Sequence, residues 1–292
     1  GMRVGRVARY AWSRDYHEVL RPHLEALEAA ASTMGVRARA YVDHGPILER
    51  SFAIRAGLGW RGKSSQVLSA TLGAYTTLAV VVTDLRPPDV EPGHPDRCGT
   101  CTRCVTACPT GAIGPDRTVD AGACLSYYTI EHRGSIPDPY RAGLGGHLFG
   151  CDDCLAVCPW SVRAGPVASL LEPDPELAHP DVEPFFTLSG HAFLRRYEGT
   201  AFARPRRRGM ARNAALVIGN LGREDGLPLL TLGIEDSGAE VREASAWALG
   251  RLASAGNAGP ALDRALGGDE ALRSAARAGL AVDSSATLLS HS

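Results

Sequence analysis

All eight cysteines of this 292-residue chain fall between Cys98 and Cys158, and no other feature so narrows what the chain can become. The first four stand as C-x2-C-x2-C-x3-C-P: Cys98, Cys101, Cys104 and Cys108, then Pro109. Cys124 stands alone. The last three are Cys151, Cys154 and Cys158, followed by Pro159. Short spacings let consecutive thiolates converge on one iron–sulfur cubane, and the proline turns the chain away behind the last ligand. In a run of this form three thiolates hold one cluster and the fourth crosses to another. The second run lacks its first cysteine, and Cys124 is available to supply it. This assigns Cys98, Cys101, Cys104 and Cys158 to one 4Fe–4S cluster and Cys108, Cys124, Cys151 and Cys154 to the other. The alternatives fit less well. Disulfides need a secreted context, and zinc favours two separated C-x2-C pairs with no trailing C-P.

Composition excludes several classes. With a net charge of −1 the chain exerts no global pull on nucleic acid, so any such site must be a local patch. No apolar run approaches the roughly 20 residues of a membrane span, and no secretory signal is present. Thiols that must stay reduced until metallated point to the cytoplasm. The opening Gly1-Met2 reads as a tag scar or a cut through a longer protein.

Along the chain, Asp15 to Met34 reads as a helix with Asp15 as cap and a stripe of Val19, Leu20, Leu24 and Leu27. Pro22 moves its expected start towards Arg21. Arg37 to Val42 alternates as a strand and delivers Asp43 at its end. A helix over 47–56 closes at Gly57. Val67 to Leu72 and Tyr75 to Thr83 read as strands turned at Gly73, the second apolar enough to be central. Arg86 to Pro95, rich in proline, reads as a linker, and the segment from Pro159 to about Pro184 as loop. Beyond lies Arg204-Pro-Arg-Arg-Arg208, then a repeat. Met210, Val241 and Leu272 recur at a fixed spacing, as do Ile218, Leu249 and Leu280, while Gly219 matches Gly250 and Leu221 matches Leu252. A helical repeat of this kind suggests a HEAT-like solenoid, with an ordinary bundle as the alternative.

Several stretches resemble one family in order. They are Ala8-Arg-Tyr-Ala-Trp-Ser-Arg-Asp-Tyr-His17, Val42-Asp-His-Gly-Pro-Ile-Leu-Glu-Arg50 and Ala56-Gly-Leu-Gly-Trp-Arg-Gly-Lys63. The first cysteine run with Pro109-Thr-Gly-Ala-Ile113 follows, then Cys124-Leu-Ser-Tyr-Tyr-Thr-Ile-Glu131, Gly134-Ser-Ile136, and Phe149-Gly-Cys-Asp-Asp-Cys154 through Trp160. Together these resemble the epoxyqueuosine reductases, cobalamin-dependent enzymes of tRNA queuosine synthesis. The resemblance implies a partial α/β cobalamin-binding domain related to reductive dehalogenases over 1–90. A ferredoxin-like double 4Fe–4S domain over 91–185 and an all-α HEAT-like tail over 186–292 complete the expected fold. It implies two 4Fe–4S clusters passing single electrons to cobalamin. Reduced cobalt then removes the epoxide oxygen at the tRNA wobble base, with Asp43 as proton donor. The chain departs from the family in lacking a further N-terminal stretch of roughly half a domain. It also carries Ser64 where Asn is usual, His44 where Thr or Ser is usual, and Leu78-Ala-Val-Val81 where an acidic residue is expected.

Weighed singly, Asp43 is a proton donor or a helix cap. Tyr10, with Arg14, Asp15 and Tyr16, suits a corrin amide rim or plain capping. Lys63 and Ser64 are candidates for the corrin or its nucleotide tail, with a solvated loop as the alternative. Ser126, Tyr127 and Thr129 follow a cluster ligand, and Asp152 and Asp153 sit inside a cluster loop where two carboxylates disfavour reduction unless bonded outward. Arg206, Arg207, Arg208 and Arg212 are candidates for tRNA phosphates, or simply a solvated face. The expected partners are the tRNA anticodon stem-loop and an electron donor such as a flavodoxin or ferredoxin, with no membrane and a monomeric chain. The rivals are a corrinoid iron–sulfur reductase acting on a small molecule and a ferredoxin-like electron carrier.

Overall fold

The computed structural model describes residues 1–86, 93–164, 170–253 and 259–282. The chain divides into two compact units. The larger is assembled from Gly1–Trp12, Gly122–Cys151 and Pro173–Ser292, the smaller from Ser13–Ala121 and Asp152–Glu172. This differs from the three consecutive segments expected, because the chain passes back and forth between the units and divides the cysteines among them. Most of the expected linker, residues 87–92, lies outside the described residues.

In the smaller unit a helix runs Tyr16–Thr33, and Asp15 caps it by accepting the His17 N–H at 2.9 Å. Its start is five residues before the Arg21 expected. The cap satisfies an early orphan donor, and Pro22 lies inside the helix on an exposed face, where solvent can reach the carbonyl it leaves free. The strand Ala38–Tyr41 pairs antiparallel with Val80–Thr83, Ala38 opposite Thr83 and Tyr41 opposite Val80. Val80–Thr83 is shorter than expected, and among the described residues it has one neighbour and stays half-exposed rather than central. An apolar run reports what a strand could bury, not how many neighbours it finds. The helix Glu49–Arg55 ends towards Gly57, whose φ of +73° turns the chain.

A tight hairpin follows, Trp60–Arg61 against Val67–Leu68. Its glycines are set by close approach, since a Cβ on Gly59 would stand 2.1 Å from the Leu68 carbonyl oxygen. The short helices Arg103–Ala107, Asp153–Ala156 and Pro159–Arg163 complete this unit. The last replaces expected loop, as do Pro175–Ala178 and Glu183–Thr187 in the larger unit. In each the proline occupies the first turn, where its missing N–H costs nothing.

The larger unit is built around the helix Arg206–Asn220, in which every residue except Arg206 and Arg208 is buried. It packs on the strand His147–Phe149, which runs parallel to Arg6–Val7, and on the helices Glu183–Thr187, Gly190–Arg196 and Ala239–Ala253. Helix Ala239–Ala253 in turn carries Glu270–Ala281. The repeat spacing marks equivalent contacts: Met210, Val241 and Leu272 are all in the core. A Cβ on Gly219 would lie 2.7 Å from the Ala248 Cα, and one on Gly250 would lie 2.2 Å from the Ala276 carbonyl oxygen. The matched glycines therefore let successive helices approach closely. The outer matches differ, for Leu221 and Leu280 are exposed while Leu252 is buried. No described helix is long and apolar enough to cross a membrane.

Candidate functional site

Within the smaller unit the first cysteine run and the second meet. Cys98, Cys101, Cys104 and Cys158 line one cavity of about 200 Å³, together with Leu68, Trp160 and the hairpin-tip residues Lys63 and Ser64. Local bonds hold this arrangement. Asp96 accepts the Cys98 N–H at 2.9 Å and pairs with Arg117, whose other nitrogen donates to the Arg61 carbonyl at 2.6 Å. The Arg117 bond, joined by the Cys98 N–H, holds the Asp96 carboxyl below the usual range. Lys63 Nζ donates to the Gly99 carbonyl at 2.7 Å, folding the hairpin tip over the cysteine loop, and Ser64 is buried beneath it.

No disulfide forms among the eight cysteines. Burial pushes the Cys104 thiol up, and the neighbouring Cys98 and Cys158 sulfurs push it further. Iron coordination removes such protons outright. Trp60 is 2% exposed in a small core with Leu68 and Ala74, against which Cys98 and Cys158 pack, yet its Nε1–H finds no acceptor among the described residues. An orphaned buried donor is costly, and the sulfurs of an iron–sulfur cluster are acceptors of the kind such a donor needs. Four convergent thiols and this indole therefore fit a 4Fe–4S cluster. Trp60 escaped the sequence reading because only its burial exposes its need for a partner.

Of the remaining cysteines, Cys108 and Cys154 belong to the smaller unit and Cys124 and Cys151 to the larger. Cys108 Sγ accepts the Ala112 N–H at 3.2 Å in the smaller unit. In the larger unit Ser126 Oγ accepts the Cys151 N–H at 3.1 Å, and Cys151 Sγ lies 3.4 Å from Nε2 of the buried His147. Ser126 thus positions a cysteine, and His147 is a neighbour that the sequence reading did not single out. Asp152 precedes the Asp153–Ala156 helix, and Asp153 is buried at its first turn. Tyr10 belongs to the larger unit, where its ring lies 6.0 Å from Phe149.

Asp43 sits at the end of its strand with a φ of 49°, in the left-handed region that costs a non-glycine residue. The Tyr16 hydroxyl donates to Asp43 Oδ2 at 2.6 Å, and the Asp43 N–H donates to Glu49 Oε1 at 2.6 Å. The capping alternative fails here, since Leu48, not Asp43, precedes the Glu49–Arg55 helix. Asp43 is exposed, and Leu48 and Phe52 beyond it are exposed apolar residues one turn apart. Asp15 and Arg14 take the plainer of their two readings, Asp15 as helix cap and Arg14 paired with Glu18.

The arginine run is corrected in part. Arg212 is 1% exposed and donates to the carbonyls of Tyr128, His132 and Gly134 at 2.6, 3.0 and 2.7 Å. Those groups border the π-helical turn Tyr127–Glu131, where Thr129 is buried and Asn213 serves the Thr129 carbonyl. Burial pulls the Arg212 pKa down to about 10. Arg207 is also buried, bonded to Asp236 and the Phe185 carbonyl. Neither side chain reaches a phosphate. Arg206 and Arg208 remain exposed.

Comparison with known proteins agrees with this geometry. Residues 97–161 match the family described as the 4Fe-4S double cluster binding domain, and residues 2–44 match "Epoxyqueuosine reductase QueG, DUF1730". The chain is 39% identical over 252 residues to an epoxyqueuosine reductase of Xanthomonas campestris pv. campestris, covering 83% of this chain and 69% of that one. It is 41% identical over 221 residues to the Salmonella typhimurium enzyme, covering 74% of this chain but only 57% of that relative's length. A crystal structure of epoxyqueuosine reductase with a tRNA-Tyr epoxyqueuosine-modified stem loop superposes with a TM-score of 0.84 at 32% identity, over 95% of this chain and 74% of that one. By sequence and by fold, the chain belongs to the epoxyqueuosine reductase family.

Proposed function

We propose that this chain reduces the epoxide of epoxyqueuosine at the tRNA wobble position to queuosine, with electrons supplied through two 4Fe–4S clusters and cobalamin. The observation that carries the reading is the cavity where Cys98, Cys101, Cys104 and Cys158 converge beside the orphaned indole of Trp60. Cys108, Cys124, Cys151 and Cys154 would hold the second cluster. When bound, cobalamin would supply the reduced cobalt that cleaves the epoxide carbon–oxygen bond. Asp43 then provides the proton for the leaving oxygen, and the Tyr16 hydroxyl orients its carboxyl. The exposed pair Leu48 and Phe52, at the start of the helix that follows Asp43, suits the apolar face of a corrin. Tyr10, Lys63, Ser64, Ser126, Asp152 and Asp153 stay candidates for cofactor contact, Lys63 with one bond already made to Gly99. The stacked helices from Arg206 onward are read as a HEAT-like repeat, with Arg206 and Arg208 as tRNA phosphate contacts and the cytoplasm as the place of work.

The test is anaerobic reconstitution with iron, sulfide and cobalamin, followed by visible and EPR spectra and by turnover of epoxyqueuosine-bearing tRNA. Queuosine formation and both sets of spectral features are expected. Clusters without corrin binding would leave an electron carrier. The burial of Arg207 and Arg212 favours a second reading, a corrinoid reductase of a small molecule. It gains if gel shift shows no affinity for queuosine-family tRNAs at low salt.

A further inference from the structure

We propose that the rim of the four-cysteine cavity is the docking surface for a small acidic one-electron carrier protein, and that electrons enter the chain through the cluster held there. The proposal rests on the reading of that cavity as a 4Fe–4S site.

Its basis is an uncompensated local charge. Arg97, Arg103 and Arg163 line the cavity, and all three are exposed. Several arginines elsewhere meet carboxylates, as Arg37 does Asp84, Arg117 does Asp96 and Arg207 does Asp236. Among the described residues the three rim arginines have no such partner. Asp96, the carboxylate adjacent to Arg97, is taken by Arg117. In a chain of net charge −1 this is a concentrated positive patch rather than a share of a general excess.

The patch is also preorganised. The guanidiniums of Arg97 and Arg163 each lie 6.0 Å from the Trp160 ring centroid, within cation–π range, so the ring steadies them at the mouth. Val162, beside Arg163, is 73% exposed and offers a small apolar contact. A charged rim around a small cavity suits the weak, short-lived encounters of electron-transfer partners, where attraction speeds arrival and a small interface permits release. A protein carrier is favoured over RNA by position. These cations ring a redox cavity, so whatever they seat covers the short path to the cluster. A carrier uses that path and an RNA would only block it. In the transfer the carrier loses one electron and the cluster gains one, with no bond made or broken.

The test follows cluster bleaching by stopped flow in the full reconstituted chain. An acidic flavodoxin reduced to its hydroquinone is the probe, and reduced methyl viologen, a small cation, is the control. In a variant combining Arg97→Gln, Arg103→Gln and Arg163→Gln, iron content should match the parent and the viologen rate should be unchanged or raised. The flavodoxin rate should fall ~10-fold or more at low ionic strength, and the salt dependence seen with the parent should flatten. Equal flavodoxin rates and equal salt slopes in parent and variant overturn the proposal. So does a variant that keeps the carrier rate but loses affinity for a tRNA stem loop, which would assign the rim to RNA. Should the triple variant lose iron, Arg103→Glu alone, at an exposed position, decides by the same comparison. A parent chain that assembles no cluster refutes the cavity reading itself, and the docking proposal with it.

Discussion

At Asp43 one carboxylate combines a left-handed backbone, a tyrosine hydroxyl at 2.6 Å and exposure to whatever fills the surface beside it. Replacing it by Asn keeps the shape and removes the transferable proton. Turnover of Asp43→Asn should drop by about 10²-fold or more while cofactor retention, read from the visible spectrum, stays near the parent's. Tyr16→Phe should have a smaller effect, since it removes orientation and not the proton. Activity of Asp43→Asn within a factor of a few of the parent would reduce the residue to a loop position. Arg212 is the opposite case, a cation whose work is structural. Arg212→Lys keeps charge but not the planar fork that serves three carbonyls, and should cost roughly 3 kcal/mol in denaturant melts. Its tRNA salt slope should be that of the parent. Arg206→Ala with Arg208→Ala should instead lower that slope by up to about two units without loss of stability.

Among the helices, close approach and one buried ion pair carry testable weight. A Cβ at residue 250 meets the backbone oxygen of Ala276 at 2.2 Å, which no side-chain rotation can relieve. Gly250→Ala should therefore destabilise by about 1–3 kcal/mol, and by more than Gly219→Ala, whose Cβ would approach Ala248 at 2.7 Å. Equal melting temperatures for the two variants would show that the last helix shifts freely. The Arg207–Asp236 pair ties Arg206–Asn220 to the turn before Ala239–Ala253 at 2.8 Å. Burial alone would raise the Asp236 pKa, but the Arg207 bond and the Gly238 N–H outweigh it and hold the carboxyl below its usual range. A carboxylate depressed in the fold adds stability above its unfolded pKa, and that stability is lost as pH falls through the folded value. Asp236→Asn should thus lower stability at neutral pH, and the gap from the parent should narrow in acid, below pH ~4. A gap independent of pH would mean the pair contributes by shape alone.

Along the chain, each of the two units is assembled from separated segments and not from one consecutive stretch. The helix Arg206–Asn220, expected as the start of a separate tail, fills the core that also holds Val4, Val7, Leu148 and Phe149. Cutting after residue 185 should therefore expose that core, leaving protein that melts without a cooperative transition or fails to stay in solution. A truncated chain with a sharp thermal transition in circular dichroism would restore the sequential picture. The cysteine spacings, the Asp15 cap, the Gly57 turn and the register of Met210, Val241 and Leu272 were legible in the sequence, whereas the two strands expected to turn on each other at Gly73 each pair with another strand. Each legible feature depends on bonds or sterics between residues close along the chain, or on a period repeated in it. The fate of Arg207 and Arg212, the need of Trp60 for an acceptor and the unpaired rim of Arg97, Arg103 and Arg163 were decided only by tertiary structure. Five arginines within nine residues look alike as a charge run, yet the carbonyls that claim Arg212 come from some 80 positions earlier in the chain. Burial and partnership are properties of what arrives from a distance, and an amino-acid string holds no record of which groups will meet.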